Sequence, residues 1–285
     1  MKPIVHALVV HYLNGEEFID CVKSLQSDPL VKNITIIDNS NSIRALDFNF
    51  AQVPPVQVLR PKTNLGYAGG NNMGIKLAIA SEDEYLLVIN PDAMLPAGQL
   101  QKLVSELKLH DLGLISPKLQ EPGSNALFES PVWDLLLGRG LLRPPRQSLP
   151  WANRYKSIFF GACFLARVDV FKDVGLLDQR LFLYGEELDF TFRMEKKAIG
   201  WMISSEATAL HHRGKSTKAE AGEHKSSITQ FHSARSMVIN GLKFAPIKLL
   251  FWIASRILYA MFFPRLGIQS RISVIKGVLS GFVPK

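Results

Sequence analysis

Cysteine is nearly absent from this chain of 285 residues, occurring only at Cys21 and Cys163. Two thiols cannot staple a small secreted domain, and unpaired thiols fit a reducing compartment. Features of an export signal are missing too: His6 interrupts the apolar run at residues 4–10, and no small-residue cleavage site follows. A cytoplasmic location is therefore expected. No internal repeat is visible. With 47% hydrophobic and 20% charged side chains, neither a collagen-like nor a disordered chain is possible. Acid is missing from one end, where no Asp or Glu follows Glu223. Residues 213–285 hold 12 Lys+Arg against 2 Asp+Glu, a net of +10, while residues 1–212 hold 21 against 23, a net of −2. The basicity belongs to the tail, and the body needs no polyanionic partner. No nucleic-acid motif accompanies that charge, so nucleic acid is not expected as a partner.

What is present suffices for one large domain, or one domain with an appendage. The first hundred residues alternate short apolar runs with helical patterns. Residues 4–10 read as a buried strand, and residues 34–37, 56–59 and 85–89 as three further strands. Phe18, Val22 and Leu25 mark one face of a helix after Asn14, and residues 72–80 form another behind a glycine-rich turn. Strands spaced by helices predict an α/β fold with a mostly parallel central sheet covered on both faces. Ligands of such sheets sit beyond the carboxyl ends of the strands. Asp38, residues 64–72 and Asp92 all fall there. From residue 120 to 156 the pattern dissolves among Arg139, Arg143, Pro144, Pro145 and Arg146, a connection long enough to be functional or mobile. Order returns at residues 159–167, with a helix from Glu186 and short strands around residues 201–204 and 207–210.

Four stretches hold candidate chemistry. Asn64, Gly66, Tyr67, Gly69, Gly70 and Asn71 make a run of glycines and amides that opens a helix. It suits either a structural turn or a backbone cradle for an anion, and it is neither a Walker loop nor G-x-G-x-x-G. Asn90-Pro91-Asp92 puts a carboxylate directly after a strand, where it either caps the next turn or holds a divalent cation that also touches a diphosphate. Glu186, Glu187 and Asp189 crowd three carboxylates beside Phe182 and Tyr184. Crowding and apolar neighbours raise a carboxyl toward the range of a general base; the structural alternative is a helix N-terminus with Asp189 paired to Arg193. Last, His211-His212-Arg213-Gly214-Lys215-Ser216 ends a short strand with a histidine suited to a metal and cations suited to phosphate.

Together with Val9-Val10-His11-Tyr12, Ile37-Asp38-Asn39-Ser40 and Gly161-Ala162-Cys163-Phe164-Leu165-Ala166-Arg167, these stretches resemble glycosyltransferase family two, and within it the bacterial rhamnosyltransferase-like branch. The likeness runs in order through residues 4–216, and residues 64–74 and 182–193 are its most specific parts. It implies the GT-A nucleotide-sugar-binding fold with Asp38 on the nucleobase and the glycine-amide run lining the nucleotide pocket. Asp92 matches the last acid of the family's metal-binding D-x-D motif, so Mg²⁺ or Mn²⁺ is implied on Asp92 with His211 beside it. Glu187 matches the catalytic base, and Asn90, Glu186, Arg193 and Arg213 complete the implied substrate-binding set. The implied reaction is an inverting transfer of a sugar, L-rhamnose from dTDP-L-rhamnose by branch, to a hydroxyl of a lipid-linked or polysaccharide acceptor, as in O-antigen assembly.

Three residues depart from the family pattern. Position 187 is Glu where Asp is usual, Leu13 stands where a second amide is common, and Asn90 leaves the metal one protein carboxylate. A sugar-nucleotide pyrophosphorylase is a rival, but it needs a glycine-rich, cationic loop after the first strand, and residues 10–18 offer only Gly15. A non-catalytic nucleotide-sugar-binding module derived from a transferase is the other.

The domain resemblance ends at residue 216, and residues 217–285 read as a basic amphipathic helical extension. Residues 245–263 nearly reach the length of a membrane span, but Arg256 at mid-helix costs roughly 2.5–3.5 kcal/mol there. Trp252, Tyr259 and Lys248 fit a helix lying in the headgroup layer of an anionic leaflet; the alternative is a core helix packed on the domain. The expected setting is peripheral, on the inner face of the plasma membrane, beside a polyprenyl-linked acceptor.

Overall fold

The apolar runs become strands because each is short and rich in Val, Ile or Leu; β1, β2 and β4 are buried on both faces, and β3 is a half-buried edge strand. The computed structural model describes residues 4–13, 15–40, 54–142, 154–212, 227–264 and 266–283. Its strands are β1 (Val5–His11), β2 (Val31–Asp38), β3 (Val56–Leu59), β4 (Tyr85–Ile89), β5 (Ala93–Met94), β6 (Leu114–Gln120), β7 (Leu127–Phe128), β8 (Val132–Asp134), β9 (Arg139–Leu141), β10 (Tyr155–Ser157), β11 (Cys163–Arg167) and β12 (Trp201–His211). Its helices are α1 (Glu16–Gln26), α2 (Gly66–Ala80), α3 (Gln99–Leu109), α4 (Val168–Asp173), α5 (Glu186–Lys196), α6 (Ser227–Phe244), α7 (Leu249–Phe262) and α8 (Ile268–Gly281).

The main sheet runs β3-β2-β1-β4-β11-β6-β12-β5, with β7 on β6 beside that path. Strands β1 to β4 are mutually parallel, as are β6 and β12, but β11 is antiparallel to both β4 and β6. The expectation of a mostly parallel sheet holds for six of the nine strands, since β5 and β7 also run against their neighbours β12 and β6, and the reversal of β11 has a cause. After β6 the chain does not cross back to the amino ends of the strands. It builds the small antiparallel sheet β10-β8-β9 instead, so β11 starts beside Ile89, at the carboxyl end of β4, and runs down. The connection expected to be irregular is thus partly ordered. Arg154 clamps it by donating to both carboxylate oxygens of Asp134 at 3.0 and 2.8 Å.

Alternation along β1 serves two cores. Val5, Ala7 and Val9 face Phe18, Val22 and Leu25 of α1 and Leu100, Leu103 and Leu107 of α3. Leu8 faces the other way, onto Ile75 and Ala78 of α2, with Phe171 and Phe190 beyond. The two strands expected at the end of the domain are one, β12, with a register shift between Ile203 and Thr208. Glu106 of α3 accepts bonds from the Ser204 and Ser205 hydroxyls and from the Ser205 N–H at that irregularity.

A third core joins the tail helices to Trp133 and Leu188, and Trp252 is completely enclosed in it, donating Nε1–H to Leu135 O at 2.9 Å. Trp252 is therefore not a headgroup residue. Arg256 is also turned inward, donating to Ser233 Oγ at 2.8 Å. The expected helix at residues 245–263 thus has a protein-facing side. Its other side is bare: Leu250, Phe251 and Phe262 are 77%, 67% and 71% exposed. Among the described residues, no helix is long and apolar enough to cross a membrane.

At the amino end of β1, His6 is completely buried, with Nδ1 2.7 Å from Asp83 Oδ2 and Nε2 2.8 Å from Thr35 Oγ1, while Lys32 reaches Asp83 at 2.8 Å. Burial lowers the imidazole below its ordinary value and Lys32 adds to this, outweighing the opposite pull of Asp83. A folded-state value below the unfolded one, about 6.5, gives stability that is complete above that pH and lost as the pH falls through the folded value. The urea midpoint should accordingly drop between pH 7 and about pH 5, and drop less in His6→Gln; superimposable pH profiles would contradict this.

Candidate active site

The carboxyl ends of β1, β2, β4 and β12 present the residues singled out in the sequence. Asp38 closes β2 and is fully buried. Burial opposes its ionisation, but bonds from the Ser40 hydroxyl and N–H and from His11, whose Nδ1 is 3.4 Å away, outweigh that and hold the carboxyl below its usual range. Arg60 lies 3.5 Å from the second oxygen. The result is an acceptor at the strand end that stays ionised to lower pH than an ordinary aspartate. Leu13 is exposed with φ +49°, a left-handed conformation that the amide common in the family adopts more readily.

The glycine-amide run is not a loop. Its greater part forms the first turns of α2, and three N–H groups at its start are bonded within the protein. Leu65 N–H donates to Asn39 Oδ1 at 3.3 Å, Gly66 N–H to Asn64 Oδ1 at 2.9 Å, and Tyr67 N–H to Phe182 O at 2.8 Å. Gly66 has φ +70°, and a Cβ there would drive into the Phe182 backbone. A Cβ on Gly70 would lie 2.8 Å from Val10 and 3.0 Å from the Asn39 amide, and one on Gly69 would lie 2.8 Å from Leu65 Cβ. These glycines let α2 sit tightly against β1 and the segment before α5. Asn71 is buried, donating to Tyr67 O at 3.0 Å.

Asn90 and Asp92 meet the acid cluster across the β4–β11 pair. Asn90 N–H donates to Ala162 O at 2.8 Å, extending the ladder, so Gly161 is next to the end of β4. Glu187 is packed onto Gly161: any Cβ at that position would overlap its carboxylate. The Tyr67 hydroxyl donates to Gly161 O at 2.6 Å, and burial, with the charges of Glu187 and Glu186, keeps that phenol protonated. Tyr184 feels the charges of Glu186, Glu187 and Asp92 together. Asp92 and Glu187 therefore both lie within electrostatic reach of Tyr184.

Within the site, burial pushes the Glu187 carboxyl up, against the N–H groups of its own residue, Gly185 and Gly161, which favour the charged form. Glu186 is buried, and burial together with the charge of Glu187 pushes it well up. On the far side, His211 Nε2 lies 3.2 Å from Asp92 Oδ1, and His212 N–H donates to Asp92 O at 2.8 Å. No group of three His, Cys, Asp or Glu side chains converges among the described residues. An ion on Asp92 and His211 would take its other ligands from substrate oxygens and water, which a hard cation accepts. The buried His211 Nδ1 has no hydrogen-bond partner among the described residues, and Nε2 can act as a ligand in the tautomer that carries the proton on Nδ1.

Residues 7–175, more than half of the chain, match the family described as glycosyl transferase family 2. The chain belongs to that family. It is 24% identical over 208 residues to a low-salt glycan biosynthesis hexosyltransferase of Haloferax volcanii, covering 72% of this chain and 66% of that protein, just under two thirds of its length. It is 24% identical over 252 residues to the N-acetylglucosaminyl-diphospho-decaprenol L-rhamnosyltransferase of Mycobacterium tuberculosis, covering 79% and 81%. In structure it is similar to a mannosyltransferase of Pyrobaculum calidifontis in complex with GDP-Man and Mn²⁺, with a TM-score of 0.59 and 11% identity over 99% of this chain and 86% of that one. The shared fold is GT-A.

Two implied members of the family's substrate-binding set are not seen at the site. Arg193 donates to Asp189 Oδ2 at 2.8 Å and to Val174 O at 3.0 Å, the structural pairing that was the alternative reading. Arg213 lies outside the described residues. Asn39 and Gly161, by contrast, do more than their family motifs suggested: one ties β2 to α2 through Gly66 O at 2.9 Å, the other seats the acid. Only Asn39, an amide directly after a strand-end acid, carried a local signal. The contacts of α6 with the acid loop had none, because polar residues spaced along a helix read as a solvated face.

Proposed function

We propose that this transferase is an inverting hexosyltransferase that moves L-rhamnose from dTDP-L-rhamnose to a hydroxyl of a lipid-linked or polysaccharide acceptor in cell-surface glycan assembly. The observation that carries the reading is the seat of Glu187 on Gly161, one residue from the strand partner of Asn90. A carboxylate and the end of β4 that holds Asp92 thus border the same space. The name of the mycobacterial relative supports a rhamnosyl donor and a polyprenyl-diphosphate-linked acceptor.

In this reading Glu187 accepts the proton of the acceptor hydroxyl while that oxygen attacks the anomeric carbon. The bond from that carbon to the diphosphate breaks on the opposite face, so configuration inverts and the nucleoside diphosphate leaves. The raised carboxyl of Glu187 is nearer the working pH than an ordinary glutamate, which favours proton transfer. Mg²⁺ or Mn²⁺, bound by Asp92 and His211 with the diphosphate, would neutralise the charge that builds on the leaving group. Ionised Asp38 accepts a hydrogen bond from the nucleobase, with α2 packed alongside as one wall. The glutamate's extra methylene, relative to the usual aspartate, is accommodated because residue 161 has no side chain.

The bare side of the tail supports docking on an anionic membrane surface. Leu250, Phe251, Leu258, Met261 and Phe262 of α7 are exposed with Ile268, Ile272, Ile275 and Leu279 of α8, in a segment whose charge is entirely basic beyond Glu223. Apolar side chains entering the acyl boundary beside cations that meet lipid phosphates are the features of an interfacial helix pair.

Glu187→Gln should lower transfer by about 10²–10⁴-fold with donor binding nearly unchanged, measured by product formation and calorimetry on the same preparation. Transfer at the parent rate would remove Glu187 from its role. For the surface, flotation with vesicles containing anionic lipid should carry the parent protein upward and leave the Phe251→Glu, Phe262→Glu double variant behind. A parent that stays at the bottom of the gradient would end the docking proposal.

A further inference from the structure

One side of α6 lies along the loop that carries the two glutamates. Thr229 and Tyr184 are hydrogen-bonded through their side chains. His232 stacks on Phe182 with ring centroids 4.4 Å apart. Ser236 Oγ donates to Leu183 O at 3.2 Å, and Asn240 Nδ2 donates to Gly185 O at 3.0 Å. Lys243 closes the series, pairing with Asp178 at 2.9 Å and with Asp189. Successive steps of three or four residues put all five side chains on one helical stripe.

The loop they meet needs holding. Tyr184 has φ +71° and Gly185 φ +88°, two consecutive left-handed residues, the first an aromatic side chain that rarely adopts this conformation. Gly185 is the N-cap of α5, so the orientation of its peptide sets where Glu186 and Glu187 point. A Cβ on Gly185 would lie 2.6 Å from Asn240 Nδ2, so Asn240 is packed on this residue as well as bonded to it. Asn240 is fully enclosed. Its contact is with the peptide that aims the acids, and it lies on a helix outside the region matched by the family.

We propose that Asn240 is a positioning residue for the base: it holds the Gly185 carbonyl, and with it the first turn of α5, so that the Glu187 carboxylate stands at bonding distance from the acceptor hydroxyl. Ser236 acts the same way two residues earlier in the loop. This inference rests on Glu187 being the base. It assigns the tail a part in the chemistry, since without α6 a strained turn would be free to relax and swing the acid off its seat on Gly161.

Asn240→Ala and Ser236→Ala, compared with the parent full-length chain, test it through kcat, the KM for each substrate, donor Kd by calorimetry and thermal midpoint. Misplacement of a reacting group by about 1 Å costs on the order of 10²-fold, so kcat of Asn240→Ala should fall roughly 10- to 100-fold while donor Kd and KM stay within about twofold. Ser236→Ala should show a smaller fall of the same kind, and it decides the matter if Asn240→Ala fails to fold. A folded Asn240→Ala with parental kcat would overturn the inference. So would a loss of kcat matched by an equal loss of donor binding, which marks a merely structural residue. Should Glu187→Gln retain parental transfer, the base assignment itself falls; if that variant is inactive and Asn240→Ala is not, only the positioning role does.

Discussion

The antiparallel ladder between β4 and β11 is the contact on which the site depends. It runs from Tyr85 opposite Arg167 up to Ile89 opposite Cys163, and the Asn90–Ala162 bond extends it past the end of the strand. That extension brings Gly161 to the carboxyl end of β4, and Gly161 is the surface on which Glu187 rests. Parallel strands alone would present Asp38 and Asp92 in a row but leave α5 with no reason to face them. Strand β11, entering against β4 and β6, supplies that reason, because its amino end, not its carboxyl end, arrives where ligands of such sheets are held.

Gly161 is held from both sides. Its carbonyl accepts the Tyr67 hydroxyl, and its N–H favours the charged form of Glu187. Helix α2 reaches this point because its glycines allow close packing, and the N–H groups of Leu65, Gly66 and Tyr67 are committed to protein acceptors. The consequence is a preorganised acid whose environment is set by backbone and by one phenol, an arrangement that costs little reorganisation during reaction. On the opposite side the tail has two roles at once. Its inner surfaces complete a core around Trp252 and Trp133 and its α6 stripe meets the acid loop, while the outer surfaces of α7 and α8 remain apolar.

Much of this was legible in the residues. Apolar runs bounded by turn residues mark strands, so β3 and β4 were read with their observed limits, and β1, β2 and α1 to within a few residues. Asp38 and Asp92 stood out as acids at strand ends, and the crowding of Glu186, Glu187 and Asp189 marked the third partner. Other features were invisible for physical reasons. The direction of β11 follows from the path of the preceding connection, not from its own apolar pattern. Glycines that admit a ligand and glycines that admit a neighbouring helix have the same composition, so the α2 run could not be resolved from sequence. A helix apolar on both sides does not declare which side meets protein, hence the misplacement of Trp252 and Arg256. Arg193, an arginine inside the most specific motif, proved to brace Asp189 four residues earlier.

The central claim is that the diphosphate end and the base end of the site share one cleft across the β4–β11 junction. Paramagnetic broadening tests it most directly: Mn²⁺ is added with a nucleoside diphosphate to isotope-labelled protein, and the backbone amide signals are followed. The account predicts that the amides of Asp92, Gly161, Ala162 and Glu187 broaden together while those of His6 and Asp83, at the other end of the sheet, stay sharp. Sharp signals from Gly161 and Glu187 beside a broadened Asp92 would contradict it.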